Sequence, residues 1–284
     1  MNVTKTEERM SLSKVIIGII LAIVILIVAQ NLALNLCEIP LMLGVPGSIC
    51  NIFVGILYVI FTYIGVKLLC NKYLRIPMTE LRIPKIRVRI LWILVAIIMP
   101  VLVLLISMLL GGTWKTNNIG NSLSIVTSAV AFYGLAAGMV EEMIFRGIIM
   151  GCLEKKFGII IAMTVPSVLF GLLHIVGNDL DVISIVQLVI AGSIVGILFS
   201  LISYESNSIW NSAIVHGIWN MVMVGGIVHI GSGIDRDSIY NFVLSNKSFL
   251  LSGGDFGIES SIISIGVYLV FCAVAIFFIM KKKG

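Results

Sequence analysis

The feature that most restricts this chain is a recurrence. Runs of about 20 apolar residues return eight times, at about 15–34, 51–69, 89–110, 122–152, 158–176, 182–203, 208–230 and 260–280. Each run is long enough, as a helix, to cross the roughly 30 Å hydrocarbon layer of a bilayer. Backbone N–H and C=O groups in lipid must be bonded within the segment, so the runs predict α-helices. Barrel strands would be about half as long and would alternate in polarity. The expected fold class is all-α: a polytopic membrane protein with about eight transmembrane helices and a core of spans four to seven. Composition agrees, with 59% hydrophobic and 12% charged residues, against about 45–50% and 25% in soluble domains.

The net charge of +5 is distributed by loop. Lys5, Arg9 and Lys14 precede the first run, and Lys72, Arg75, Arg82, Lys85, Arg87 and Arg89 fill the loop after the second. Lys155 and Lys156 separate runs four and five, and Lys281, Lys282 and Lys283 follow the last. The alternate set of loops holds only Lys115, Arg236 and Lys247. Basic residues collect on the cytoplasmic side, so both termini are expected there, with the protein in the plasma membrane. The charge sets topology and touches anionic lipid; it does not point to nucleic acid. The first run has a charged start and no small-x-small site before polar sequence, so it reads as an uncleaved anchor. Cys70, Cys152 and Cys272 fall in or beside spans as small buried hydrophobes. Cys37 and Cys50 bracket the first outer loop, where pairing is an open alternative.

Three parts follow from the distribution of polar residues. Residues 1–121 hold spans one to three and the basic loop, 122–230 hold spans four to seven, and 231–284 hold an outer loop and span eight. Nearly every intramembrane polar residue lies in the middle part. So do three glycine pairs at helical spacing: Gly134/Gly138, Gly147/Gly151 and Gly192/Gly196. Each pair shares a helix face and allows close helix approach in lipid, predicting a tight bundle. The outer loop at about 231–258 contains Gly, Ser and Asp, and reads equally as a cap or a flexible connection.

Three clusters interrupt the apolar spans: Glu141-Glu142-x-x-x-Arg146, Phe170-x-x-x-His174 and His216-x-x-x-Asn220. Residues four apart stack on one helix face, so Glu142 and Arg146 are expected to pair. An isolated charge at mid-membrane costs at least about 2.5–3.5 kcal/mol, which such a pair offsets. Glu141 is about 100° around the helix and is left without that partner. An unpaired acid in a dry site is the natural general base. Phe170 shares a face with His174 and restricts its ring; His216 and Asn220 share a face and can both donate into one cavity. A base, a second imidazole and paired donors are the components of water-driven amide hydrolysis. His229, near the outer end of span seven, lacks such company and reads as interfacial.

At these residues the chain resembles the CPBP intramembrane proteases, which comprise CAAX-processing (Ras-converting) endoproteases and bacteriocin-processing or self-immunity proteins. The family pattern E-E-x-x-x-R, F-x-x-x-H, H-x-x-x-N stands here as EEMIFR, FGLLH and HGIWN in the same order, and the resemblance covers about residues 122–226. It implies an endopeptidase acting on a membrane-associated protein or peptide precursor. Carried over by motif position, Glu141 with His174 activates water, His216 with Asn220 forms the oxyanion hole, and Glu142, Arg146 and Phe170 support them. No cofactor is the preferred reading; zinc held by Glu141, His174 and His216 is the alternative. Two rival functions use the same residues: a non-catalytic immunity or scaffold protein of this fold, and a proton-coupled transporter, for which no inverted repeat is found.

Overall fold

The computed structural model describes residues 10–117 and 119–283; Lys5 and Arg9, assigned above to the cytoplasmic flank, lie outside the described residues. The helices are α1 (Leu12–Met42), α2 (Gly47–Leu68), α3 (Ile90–Leu109), α4 (Ile119–Phe157), α5 (Ile159–Leu173), α6 (Val182–Ser206), α7 (Ile209–Met223) and α8 (Ile262–Lys283). Six of these are long and apolar enough to cross a membrane: α1, α2 with its extension to Leu74, α3, α4, α6 and α8. The chain is thus a polytopic α-helical membrane protein. The other two, α5 and α7, have 15 residues each, about 22 Å of helix, and are shorter than the apolar runs 158–176 and 208–230. Both are ended by glycine turns, at Gly177 and Gly226, whose positive φ values of 86° and 78° suit a residue without Cβ.

Side-chain size decides which face of each helix meets protein. On α1 the buried residues Val15, Gly18, Ala22, Ala29, Ala33 and Cys37 fall three, four or seven apart and form one seam of small side chains. The exposed Ile16, Ile20, Ile27 and Leu34 cover the faces left for lipid. That helix packs along α2, while α4 packs on α2 and α7, α5 on α6, and α6 on α8.

Two glycine pairs act as predicted. A Cβ on Gly138 would stand 2.8 Å from Gly217 Cα, and Gly134 faces the same residue of α7. A Cβ on Gly192 would stand 2.7 Å from Gly171 Cα, with Gly196 against Ser167. Backbones therefore touch at the α4–α7 and α5–α6 seams. The third pair, Gly147 and Gly151, receives the Ile83 and Leu81 side chains of the basic loop instead of a helix.

Two features go beyond the expected helices. Helix α4 is not uniform: π-helical turns at Ala129–Ala137 and Met143–Ile149 flank a short α segment, Gly138–Glu142. Such wide turns are uncommon and concentrate at functional sites. The second is a small sheet added to the all-α architecture. Strands β1 (Gly112–Thr116), β2 (Val228–Gly231) and β3 (Tyr240–Leu244) form the order β1-β3-β2, antiparallel between β1 and β3 and parallel between β2 and β3. Aromatic and β-branched residues in Tyr-Asn-Phe-Val-Leu suit a strand, and Phe242 packs against Trp114 at 5.1 Å. The outer loop is thus a folded cap, and the apolar residues 228–230, read as the end of span seven, belong to β2. Cys37 and Cys50 are both free thiols, so the alternative of a pair in the first outer loop is not realised.

The basic loop is pinned to the start of α7. Ile209 N–H donates to Arg82 O at 2.9 Å, Trp210 Nε1–H to Pro84 O at 2.7 Å, and Arg89 N–H to Asn211 Oδ1 at 2.9 Å. Next to it, Glu205 accepts from Arg89 at 2.8 and 3.0 Å and from Trp92 at 3.1 Å, and pairs with Lys282 of α8 at 2.5 Å.

Candidate active site

The close approach of α4 and α7 at Gly138 and Gly217 sets His216 directly beside the acidic pair. Arg146 Nη1 donates to Glu142 Oε1 at 2.8 Å, and both side chains are fully buried. Its Nη2 donates to Gly196 O at 3.1 Å, which ties the pair to α6. The guanidinium lies 4.8 Å from the Phe170 ring centroid and 5.2 Å from that of Phe199. Delocalised and weakly hydrated, it tolerates this stacked, dry setting better than an ammonium would.

Glu142 has a second partner. Its Oε1 lies 3.1 Å from His216 Nδ1, while His216 Nε2 lies 3.7 Å from Glu141 Oε2. The imidazole therefore bridges the two acids. It stacks on Phe199 at 4.6 Å and 17°, and meets the Phe170 ring edge-on at 5.7 Å. Glu141 is the less buried of the two acids, and its Oε2 has no hydrogen-bond partner. Buried carboxylate oxygens are rarely left so.

On α5, His174 Nδ1 lies 2.7 Å from Phe170 O. The carbonyl can only accept, so this bond places the proton on Nδ1 and leaves Nε2 as the basic atom. Phe170 stands 4.5 Å from the His174 ring. His174, His216 and Asn220 line one cavity of about 40 Å³ with Phe256, Glu259 and Tyr268. That space admits water and is too small for a peptide.

All seven side chains named from the sequence lie in this region. Glu142, Arg146, Glu141 and His216 form a contiguous cluster, Phe170 bridges it to His174, and Asn220 joins through the cavity. Among the described residues, no group of three or more His, Cys, Asp or Glu side chains is arranged to hold a metal ion.

Residues 121–222 match the family model described as Rce1-like, type II CAAX prenyl endopeptidase Rce1-like. This stretch, less than half of the chain, is similar to the CAAX prenyl endopeptidases of that description. The match supports a hydrolase of the endopeptidase class, and the matched residues contain every residue of the acid–histidine cluster. No curated protein and no solved structure matches the chain.

Several site residues escaped sequence reasoning. Phe199 stacks on His216 but looks like any lipid-span phenylalanine. Glu259 lies in the one-turn 3₁₀ helix Ile258–Ser260 ahead of α8, about 40 residues beyond the last motif. Its Oε2 accepts from Trp219 Nε1 at 3.1 Å, and its carbonyl accepts from Tyr268 at 3.2 Å. The one available signal was an acid in an outer loop otherwise rich in Gly and Ser, directly before an apolar span.

Proposed function

We propose that this protein is an intramembrane endopeptidase that hydrolyses a peptide bond of a membrane-associated protein or peptide precursor, with Glu141 as the base that activates water. The observation that carries this reading is Glu141 Oε2, buried without a hydrogen-bond partner and facing His216 Nε2 at 3.7 Å. A carboxylate with an open acceptor next to His216, which itself lines a water-sized cavity, can orient a water molecule and take its proton. His174, with Nε2 as its basic atom, assists from α5. The hydroxide oxygen then bonds the scissile carbonyl carbon, and negative charge develops on the carbonyl oxygen.

His216 and Asn220 stabilise that charge. To donate from Nε2, His216 must carry both protons, and Glu142 accepts the one on Nδ1. Glu142 and Arg146 therefore fix the ring that serves the oxyanion, and Phe170 and Phe199 hold its plane. The eight apolar helices all cross the bilayer in this reading, with the basic loop and both termini cytoplasmic.

The test compares membrane fractions from cells carrying the wild-type protein and Glu141→Gln by mapping new peptide termini. Loss of a base of this kind lowers turnover by about 10²–10⁴-fold, so specific fragments should vanish and their precursors accumulate. Unchanged fragments, with the variant inserted at normal levels, would sink the protease reading. Protection from a toxic peptide that survives Glu141→Gln would favour a non-catalytic immunity role. Elemental analysis and chelator treatment of the purified protein test metal independence.

A further inference from the structure

The catalytic cavity has an acid that none of the three motifs supplies. Glu259 lines it together with His174, His216 and Asn220, and it is delivered by the cap rather than by the matched segment 121–222. A second cavity of about 380 Å³ lies within the cap, lined by His229, Asp235, Asp255 and others. Phe256 and Glu259 line both cavities, so Glu259 stands at the boundary between the water-sized site and the larger polar space.

Its setting is built. Trp219, next to Asn220 on α7, donates to Oε2, and Tyr268 of α8 holds the Glu259 carbonyl. The indole and phenol rings pack together at 5.1 Å. The indole bond occupies Oε2, and Oε1 is the oxygen it leaves free. Burial raises the carboxyl above the ordinary carboxylate range. The Trp219 hydrogen bond and the nearby His174 and His216 oppose that effect, and Glu141 adds to it. An acid whose protonated form is favoured by burial inside a hydrolytic site can donate a proton.

We propose that Glu259 is the general acid of this site, protonating the leaving amine as the peptide bond breaks. The proposal rests on the endopeptidase reading above. Glu141 takes one proton from water, and the oxygen bonds the carbonyl carbon. When the C–N bond breaks, its electron pair goes to nitrogen and the Glu259 proton moves there. The products are a carboxylic acid and an amine. Exchange through water then moves the proton from Glu141 back to Glu259, and both residues regain their starting states. Separate residues thus carry the base and acid roles, one from the α4 motif and one from the cap.

The leaving group provides the test. A peptide spanning a cleavage site that disappears in Glu141→Gln membranes is prepared as the amide and as the p-nitrophenyl ester of its acyl half. An amine must be protonated to leave, whereas p-nitrophenolate leaves unaided. The full-length protein in detergent is assayed on both probes, as wild type, Glu259→Gln, Glu259→Asp and Glu141→Gln. Glutamine can still accept from Trp219, so the cap should hold. Glu259→Gln should cut amide hydrolysis by about 10²-fold or more, with ester hydrolysis within about 3-fold of wild type. Glu259→Asp should restore part of the amide rate, and Glu141→Gln should abolish both reactions. Equal loss on both probes would make Glu259 a structural residue and overturn the proposal. An undiminished amide rate in Glu259→Gln would overturn it while leaving the protease reading intact. If Glu141→Gln removes no fragment from membranes, the protease reading fails and the proposal falls with it.

Discussion

At the scale of single residues, Arg146 sets the terms for the whole site. Its charge is fully buried, paired with Glu142 at 2.8 Å, bonded to Gly196 O and stacked near two phenylalanine rings. Removing one member of a buried pair strands the other charge, at about 3–5 kcal/mol. Arg146→Met is therefore expected to lower thermal stability in detergent by about that amount. The double variant Glu142→Gln/Arg146→Met should be less destabilised than Arg146→Met alone, because no charge is stranded. Both should lose peptide cleavage, since His216 Nδ1 rests on Glu142. The four-residue spacing made the Glu142–Arg146 pair legible in the sequence. The bridge from His216 to both acids was not, because it joins residues 74 and 75 positions apart on different helices.

At the scale of elements, the seams between helices place the chemistry. A side chain on Gly138 would meet the α7 backbone at 2.8 Å, whereas one on Gly147 would meet the movable end of Ile83. Gly138→Val should accordingly destabilise the protein by about 1–3 kcal/mol and separate Glu141 from His216, abolishing cleavage. Gly147→Ala should be milder in both thermal unfolding and activity. Helix α6 offers a pH test, because Asp181 caps it by accepting from Ser184 N–H at 2.6 Å. That backbone hydrogen bond, with the Ser184 side chain, holds the Asp181 carboxyl below its ordinary range. A depressed carboxyl contributes its stability above the unfolded value, about 3.9 for aspartate, and loses it as pH falls through the folded value. Amide protection at 182–186 should drop in that acid range in wild type, and Asp181→Asn should remove this pH dependence in a hydrogen-exchange measurement. Helix positions were readable from apolar runs. The π turns of α4 and the strands were not, since short apolar stretches do not reveal which backbone hydrogen bonds tertiary packing selects.

At the scale of the molecule, charge and cap divide the two ends. The basic loop, the start of α7 and the C-terminal lysines meet at Glu205, which binds Arg89, Trp92 and Lys282. Glu205→Gln should loosen this end and lower thermal stability without touching the acid–histidine cluster. For orientation, cysteine placed at Gly233 or Asn246 in a cysteine-free background should react with an impermeant thiol reagent from outside intact cells. Cysteine placed at Lys85 should react only after permeabilisation; the reverse pattern would invert the topology.

By itself the sequence determined the membrane-helical class, the identity of the polar residues that must be compensated in lipid, and the pairing within one helical turn. Those follow from segment length, transfer cost and helix periodicity, which are local properties. Only the tertiary structure decided that His216 sits between two carboxylates and that the cap folds as a sheet. It also decided that Glu259 joins the cavity. Each depends on side chains from distant segments meeting at backbone contacts of glycine width, and no local periodicity encodes which seam will close on which.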